Sequence, residues 1–478
     1  MKNSSLISII NSLSRNELKS LRNFLNSPYF NQNENVIKLF EYLILIDKKD
    51  IESITNKCLH EYVFKKQKFL NENIKTIIYL LTRLCENFIV INSFEKEETE
   101  FNKRLLSELN KKGLDKQFEK CLKKTTKGMP GETRIELNSI YRQAEFEREV
   151  IEYHTKRNNE SEMFLHEQKL SAHLIAAFLV DMFKQYNIFW RTGYLDNVKV
   201  QEFTSAMLRS VDLNGLFRIF EENDYVYKNL LRPYYDIYRL LNDDENKSDV
   251  LSLKESIINN PDISDNEKFI LSTILVNTLY YKNLKSGNRF SRELFEAFKL
   301  LLILYKYSGE LHLRYTIFSN VLRLGLQLGE FEWTENFIKN SYVLLEPSVK
   351  ENMFYYSSAF FSFAKNDFDK CLEYESKINF DTFQQRYYLR DLRLCSLYEL
   401  GKFETALNLI DSYKHFIKKD TSYTPKMKQG YMLFLGFIND LIRLKLGISR
   451  KNLIDVNEKL KSSLPMRKDW LLKKFDEL

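Results

Sequence analysis

Few side chains in this sequence combine a type and a spacing suited to chemistry. The best metal-like set is Glu162, His166 and His173, with Glu167 beside the first histidine. Spacings of four and seven residues would place all three on one side of a helix. Imidazole and carboxylate are donors that zinc and related ions accept. A metal site in a helical bundle draws its donors from facing helices, however, and a repeated Glu-x-x-His set is not evident here. The same spacing also describes a mixed polar face supported by an i,i+4 Glu–His contact. No metal or cofactor is expected on this reading.

Other reactive patterns are missing. Cys58, Cys85, Cys121, Cys371 and Cys395 are an odd, scattered set without metal-ligand spacing. They suit a reducing cytosol better than a disulfide framework, and the expected location is cytoplasmic. Cys371 and Cys395 fall at apolar positions, with no matching base for a nucleophile. There is no Gly-rich dinucleotide loop, Gly-x-x-x-x-Gly-Lys-Ser/Thr, Gly-x-Ser-x-Gly or His-Glu-x-x-His. No enzymatic role is expected and no catalytic residue is assigned; an enzyme would need a pocket assembled from distant groups.

Charge adds little. The 72 Lys and Arg residues exceed the 65 Asp and Glu by only +7 over 478 residues, a weak bias toward anionic partners. Arg142, Arg148, Lys156, Arg157 and Lys169 could begin a basic face for nucleic acid. Glu145, Glu147, Glu149, Glu152, Glu160, Glu162 and Glu167 interrupt it, whereas phosphate binding needs continuous Lys and Arg.

The elements that would position any site are helices. Only 13 glycines and 7 prolines punctuate the chain, which argues against a sandwich, a barrel or a disordered polypeptide. Phe and Tyr number 36 and 28, enough planar bulk to fill wide gaps between helix layers. The longest apolar runs are short: Leu174 to Val180 is seven residues, far below a membrane span, so no membrane insertion is expected. The N-terminus reads as a first structural helix, because Ser14 and Glu17 soon follow with capping-box spacing.

Three sections are expected: a helical module over 1–95, a helical-hairpin region over 96–265, and a repeat region with terminal capping helices over 266–478. In the first, Val36, Leu39, Phe40 and Leu43 form one buried stripe, and Ile77, Ile78, Leu81, Leu84, Cys85, Phe88 and Ile89 another. In the second, Leu105, Leu109 and Phe118 suggest a helix pair broken at Lys111–Gly113. Lys127–Gly131 is the sharpest break, a turn or domain joint. Two long helices, from Ile135 to Tyr153 and from Met163 to Phe183, should pair antiparallel across Lys156–Asn159. Ser264 and Glu267 repeat the capping-box spacing, and Pro347 and Ser348 before Glu351 suggest another helix start.

Hairpin turns are expected at Ser286–Phe290, Leu328–Phe331, Lys365–Phe368 and Leu400–Phe403. Their aromatic anchors, Phe290, Phe331, Phe368 and Phe403, are separated by 41, 37 and 35 residues. Ala359, Phe368 and Cys371, then Phe403 and Ala406, with a poorer copy in Gly325, Phe331 and Thr334, resemble the small and aromatic positions of tetratricopeptide repeats. That resemblance covers roughly 310–415 and implies an all-α, irregular helical-hairpin solenoid whose units seal one another's apolar faces. Separately, Leu13–Leu18 and Phe24–Asn31 resemble the start of helical proteins of Bacteroidota, a likeness that supplies no activity.

The expected function is a non-catalytic scaffold that holds a protein or peptide, with helical-repeat binding of nucleic acid as the alternative. Tyr355, Tyr356, Tyr387 and Tyr388 are the candidate partner-binding residues, since aromatic anchors gain most from desolvation. Burial within the hairpins is the competing role for the same four rings.

Overall fold

The computed structural model describes residues 5–46, 54–65, 67–128, 134–195, 203–242, 249–379, 383–421, 423–448 and 451–478. It is all-helical: the described residues contain 24 α-helices and no β-strand, only the isolated bridges Ile135–Ile263 and Leu313–Leu345. No helix among them is long and apolar enough to cross a membrane. The chain divides into two compact units, Met1–Gly131 and Glu132–Leu478. Met129, Pro130 and Gly131, the core of the expected joint, lie outside the described residues.

The first unit holds α1 (Ser5–Ser12), α2 (Arg15–Asn26), α3 (Glu34–Leu45), α4 (Asn56–Phe64), α5 (Asn71–Lys96), α6 (Glu98–Lys111) and α7 (Asp115–Gly128). The capping box opening α2 is present: Glu17 N–H donates to Ser14 Oγ at 3.3 Å, and Ser14 N–H to Glu17 Oε2 at 3.0 Å. Helix α5 packs on α1, α2, α3, α4 and α6, and its Ile74, Ile77, Leu81, Cys85 and Phe88 are buried. The expected stripe on α3 is buried throughout, but Ile89 of α5 and Leu105 of α6 face solvent. Leu106, one residue on, is buried instead, as is Phe118 of α7.

The second unit begins with α8 (Leu137–Thr155) and α9 (Glu160–Leu195), which pack along their length as the short turn requires. Helices α10 (Phe203–Ser210), α11 (Leu213–Glu222), α12 (Lys228–Asn242) and α13 (Asp249–Ile258) follow. Then come α14 (Asp265–Lys285), α15 (Ser291–Leu304), α16 (Tyr315–Gln327), α17 (Phe331–Ser341), α18 (Lys350–Ala364), α19 (Phe368–Ser376), α20 (Phe383–Glu399) and α21 (Phe403–Lys419). Finally, α22 (Pro425–Lys445), α23 (Leu453–Ser462) and α24 (Lys468–Asp476) close the chain. One core runs from Ile140 to Leu392 and a second from Tyr387 to Phe475.

The four expected turns each join a helix to the next, and one device closes them all. A residue in the left-handed region follows the helix: Gly287, Gly329, Asn366 and Gly401, with φ of 65°, 76°, 60° and 70°. The next N–H then reaches five residues back, as in Asn288 to Asn283 O, Glu330 to Gly325 O, Asp367 to Ser362 O and Lys402 to Leu397 O, each at 2.9 Å. This is the Schellman closure, which satisfies carbonyls the helix end leaves open. Small residues then let helices meet. A Cβ on Gly325 would stand 2.3 Å from Oγ1 of buried Thr334, and Ala359, Cys371 and Ala406 are fully buried.

Two expected helix starts differ. Helix α18 begins after Val349 with no side-chain cap, so neither Pro347 nor Ser348 caps it. At α14, Ser264 Oγ accepts from Glu267 N–H at 3.1 Å, but the Glu267 carboxylate does not return the bond. It is buried and instead receives Lys184 Nζ at 2.8 Å, Leu137 N–H at 3.3 Å and the Tyr234 hydroxyl. A buried carboxylate takes the partners that neutralise it over a cap that water could serve.

Candidate functional site

The helices α14, α16, α18, α20 and α22 each send a tyrosine or arginine into one cluster around Arg323. Arg323 lies on α16 in the run Val321-Leu322-Arg323-Leu324-Gly325-Leu326, a single cation within an apolar helix segment. Its guanidinium sits 3.4 Å above the ring of Tyr388 from α20. The Tyr388 hydroxyl is 3.5 Å from that of Tyr280 on α14. One Arg323 Nη donates to Asn320 Oδ1 at 2.5 Å, while Nε is buried with no hydrogen-bond partner. No carboxylate forms an ion pair with it among the described residues. Burial works against the charged form, but a guanidinium is too basic to lose its proton, so a cation stands among the neutral phenols of Tyr388, Tyr356, Tyr280 and Tyr431.

A second layer lies behind this one. Tyr387 is fully buried and packs on Tyr431, Tyr423, Phe416 and Tyr413 with ring centroids 4.5, 4.6, 5.0 and 5.9 Å away. Its hydroxyl donates to Asp420 Oδ2 at 2.8 Å. The Tyr413 hydroxyl lies 2.8 Å from Asp391 Oδ1 and 3.1 Å from the Tyr387 carbonyl. Burial pushes the Asp391 carboxyl up to about 7, against the pull of Arg467, the Tyr413 hydroxyl and Arg323. The cluster therefore combines a cation stacked on a phenol, a carboxyl that titrates near neutrality, and a wall of tyrosine hydroxyls.

The four candidate tyrosines separate into different roles. Tyr388 is half-buried and touches Arg323 directly. Tyr356 is fully buried beside Phe360, with ring centroids 4.6 Å apart, and its phenol faces the same guanidinium. Tyr387 is a packing hub with no exposed surface. Tyr355 stands apart, against Phe354 at 5.6 Å and under Lys377 at 5.8 Å. Arg323, Tyr280, Asp391 and Tyr431 went unread in the sequence. The available signal was the lone Arg323 inside an apolar helix segment; Asp391 stands beside Arg390 and Arg393 and gave none.

The remaining candidates also resolve. His173 stands apart from Glu162 and His166, the other members of the metal-like spacing: its Nδ1 meets the Tyr227 hydroxyl at 2.7 Å, and burial lowers it to about 4. Glu162 and His166 instead face His154 across the α8–α9 turn. Along the supposed basic face, Lys156 pairs with Glu152 at 2.7 Å, Arg142 approaches Glu136 at 3.7 Å, and Arg157 folds over Tyr153 at 3.7 Å. Cys371 and Cys395 are buried, and burial raises both thiols, the first to about 11, so neither is a thiolate at neutral pH. No family model matches the chain, and comparison with curated proteins and with solved structures gives no match either.

Proposed function

We propose that the protein is a non-catalytic scaffold that binds a protein or peptide, and that Arg323 anchors a carboxylate of that partner. On this reading the helix pairs from α14 to α22 stack as a tetratricopeptide-like solenoid, and their first helices present the binding face. Serial packing of neighbouring pairs, the repeated Schellman closures and the small residues at the helix contacts all support that arrangement. The observation that carries the reading is Arg323: a guanidinium with an unpartnered buried Nε, framed by tyrosines from several successive pairs. An arginine fork matches a carboxylate geometrically, and tyrosines supply rigid contact area at small entropic cost.

A random peptide display library against the full chain tests this. The expected result is enrichment of sequences bearing Asp, Glu or a terminal carboxylate, with binding weakened by salt. Arg323→Met should reduce affinity at least about tenfold, as loss of a charge-assisted hydrogen bond implies, while far-UV circular dichroism stays unchanged. A library that yields no enriched sequence, or peptides that bind the variant equally well, rejects the proposal.

A further inference from the structure

The α8–α9 hairpin carries a second arrangement, independent of the tyrosine cluster. His154 lies on the last turn of α8, Glu162 on the first turn of α9, and His166 one turn further along. A donor atom from each of the three lies within 4.8 Å of the others. The imidazoles of His154 and His166 are stacked nearly parallel, at 14° with centroids 5.8 Å apart. Behind them, Glu147 on α8 contacts His166 Nδ1. That side chain and His166 are only 10% and 14% exposed, whereas Glu162 is open to solvent.

We propose that His154, Glu162 and His166 bind one divalent ion of the zinc class, with Glu147 as the group that orients His166. A carboxylate on Nδ1 fixes the proton there and leaves Nε2 as the lone-pair nitrogen, the arrangement that metal-ligating histidines adopt. Nitrogen donors select zinc, cobalt or nickel over magnesium and calcium. Zinc bonds of about 2.0–2.1 Å in a tetrahedral shell need donors roughly 3.3 Å apart. The exposed Glu162 side chain and a rotation of the His154 ring out of its parallel stack on His166 make that adjustment. Three protein ligands leave the fourth position to water.

Local backbone geometry holds the donors in place. Asn158 adopts φ of 55°, and Asn159 N–H closes back on the His154 carbonyl at 3.1 Å. The turn thus fixes where α8 ends and which residues of α9 face it. Seen along the chain, His154 and His166 flank the turn and are twelve residues apart, a spacing that has no meaning on one helix and acquires it only when the hairpin closes.

The test uses the full chain, freed of any polyhistidine tag and stripped with chelator. Calorimetric titration with Zn²⁺ should show one ion per chain with a Kd in the micromolar range or tighter, and Co²⁺ should give the visible bands of a tetrahedral site. His154→Ala and His166→Ala should each weaken binding at least tenfold. Glu147→Gln should weaken it about 10- to 100-fold, the usual effect of removing an orienting carboxylate. Glu162→Gln, on a solvent-exposed side chain, keeps the test readable if an imidazole variant misfolds, and it too should weaken binding. Absence of saturable one-to-one binding, or binding that survives in folded histidine and Glu162 variants, overturns the site.

Discussion

His173 shows what burial does to a titratable side chain in this protein. Lowered to about 4, it stays neutral in the fold between about pH 4 and 6.5, where an unfolded histidine is already protonated. A depressed pKa gives stability that is present above about pH 6.5 and lost as pH falls toward 4. The loss from this residue alone should be on the order of 2–3 kcal/mol. Chemical denaturation of wild type and His173→Gln across pH 4–7.5 checks it: the variant should flatten that part of the profile, and parallel curves would refute it. Asp391 acts with the opposite sign, since its raised carboxyl contributes stability at low pH that disappears as pH rises through about 7. Such residues were only partly legible. Ser14 and Glu17 announced their cap in sequence, because a capping box is local. Arg323, Asp391 and the diverted Glu267 depend on partners from other helices, which spacing along one helix does not reveal.

At the scale of elements, the turns govern. Each first helix from α14 to α20 ends in a left-handed residue, and three of the four are glycine. A Cβ at Gly401 would meet nothing within 4 Å, so any cost there comes from the backbone alone. Gly401→Ala should therefore lower stability by about 1–2 kcal/mol, the penalty of the left-handed region for an L side chain. Asn366→Gly, at the equivalent place, should change it by less than about 0.5 kcal/mol, because asparagine already tolerates that region. Urea midpoints of the two variants separate a backbone cause from a packing cause. Equal effects would contradict it. Glycine and asparagine made these turns readable in the sequence. The start of α18 was not readable, for Val349 supplies no capping side chain and tertiary packing fixes the boundary. Nor did an aromatic guarantee burial: Phe290 is 1% exposed and Phe331, at the corresponding turn, is 40% exposed.

At the scale of the molecule, each compact unit keeps its own core. The first is built from residues between Leu6 and Phe88, and the other two from residues between Ile140 and Phe475. A chain of residues 132–478 should then fold alone, with a helical circular dichroism spectrum and a cooperative urea transition; a non-cooperative melt would show that its core is incomplete. Helical class and hairpin order followed from period and punctuation in the sequence. The join between the entry to α8 and the entry to α14 did not. There Ile135 exchanges backbone bonds with Asp262 and Ser264, and Arg134 reaches Asp265 at 2.9 Å. Most neighbouring helices can find one another within a few dozen residues, quickly and in any order. This clasp instead closes a loop of more than a hundred residues, whose entropic cost is met only once the intervening helices are compact. It should therefore be a late event in folding, and an early one to release when the protein opens from its native state.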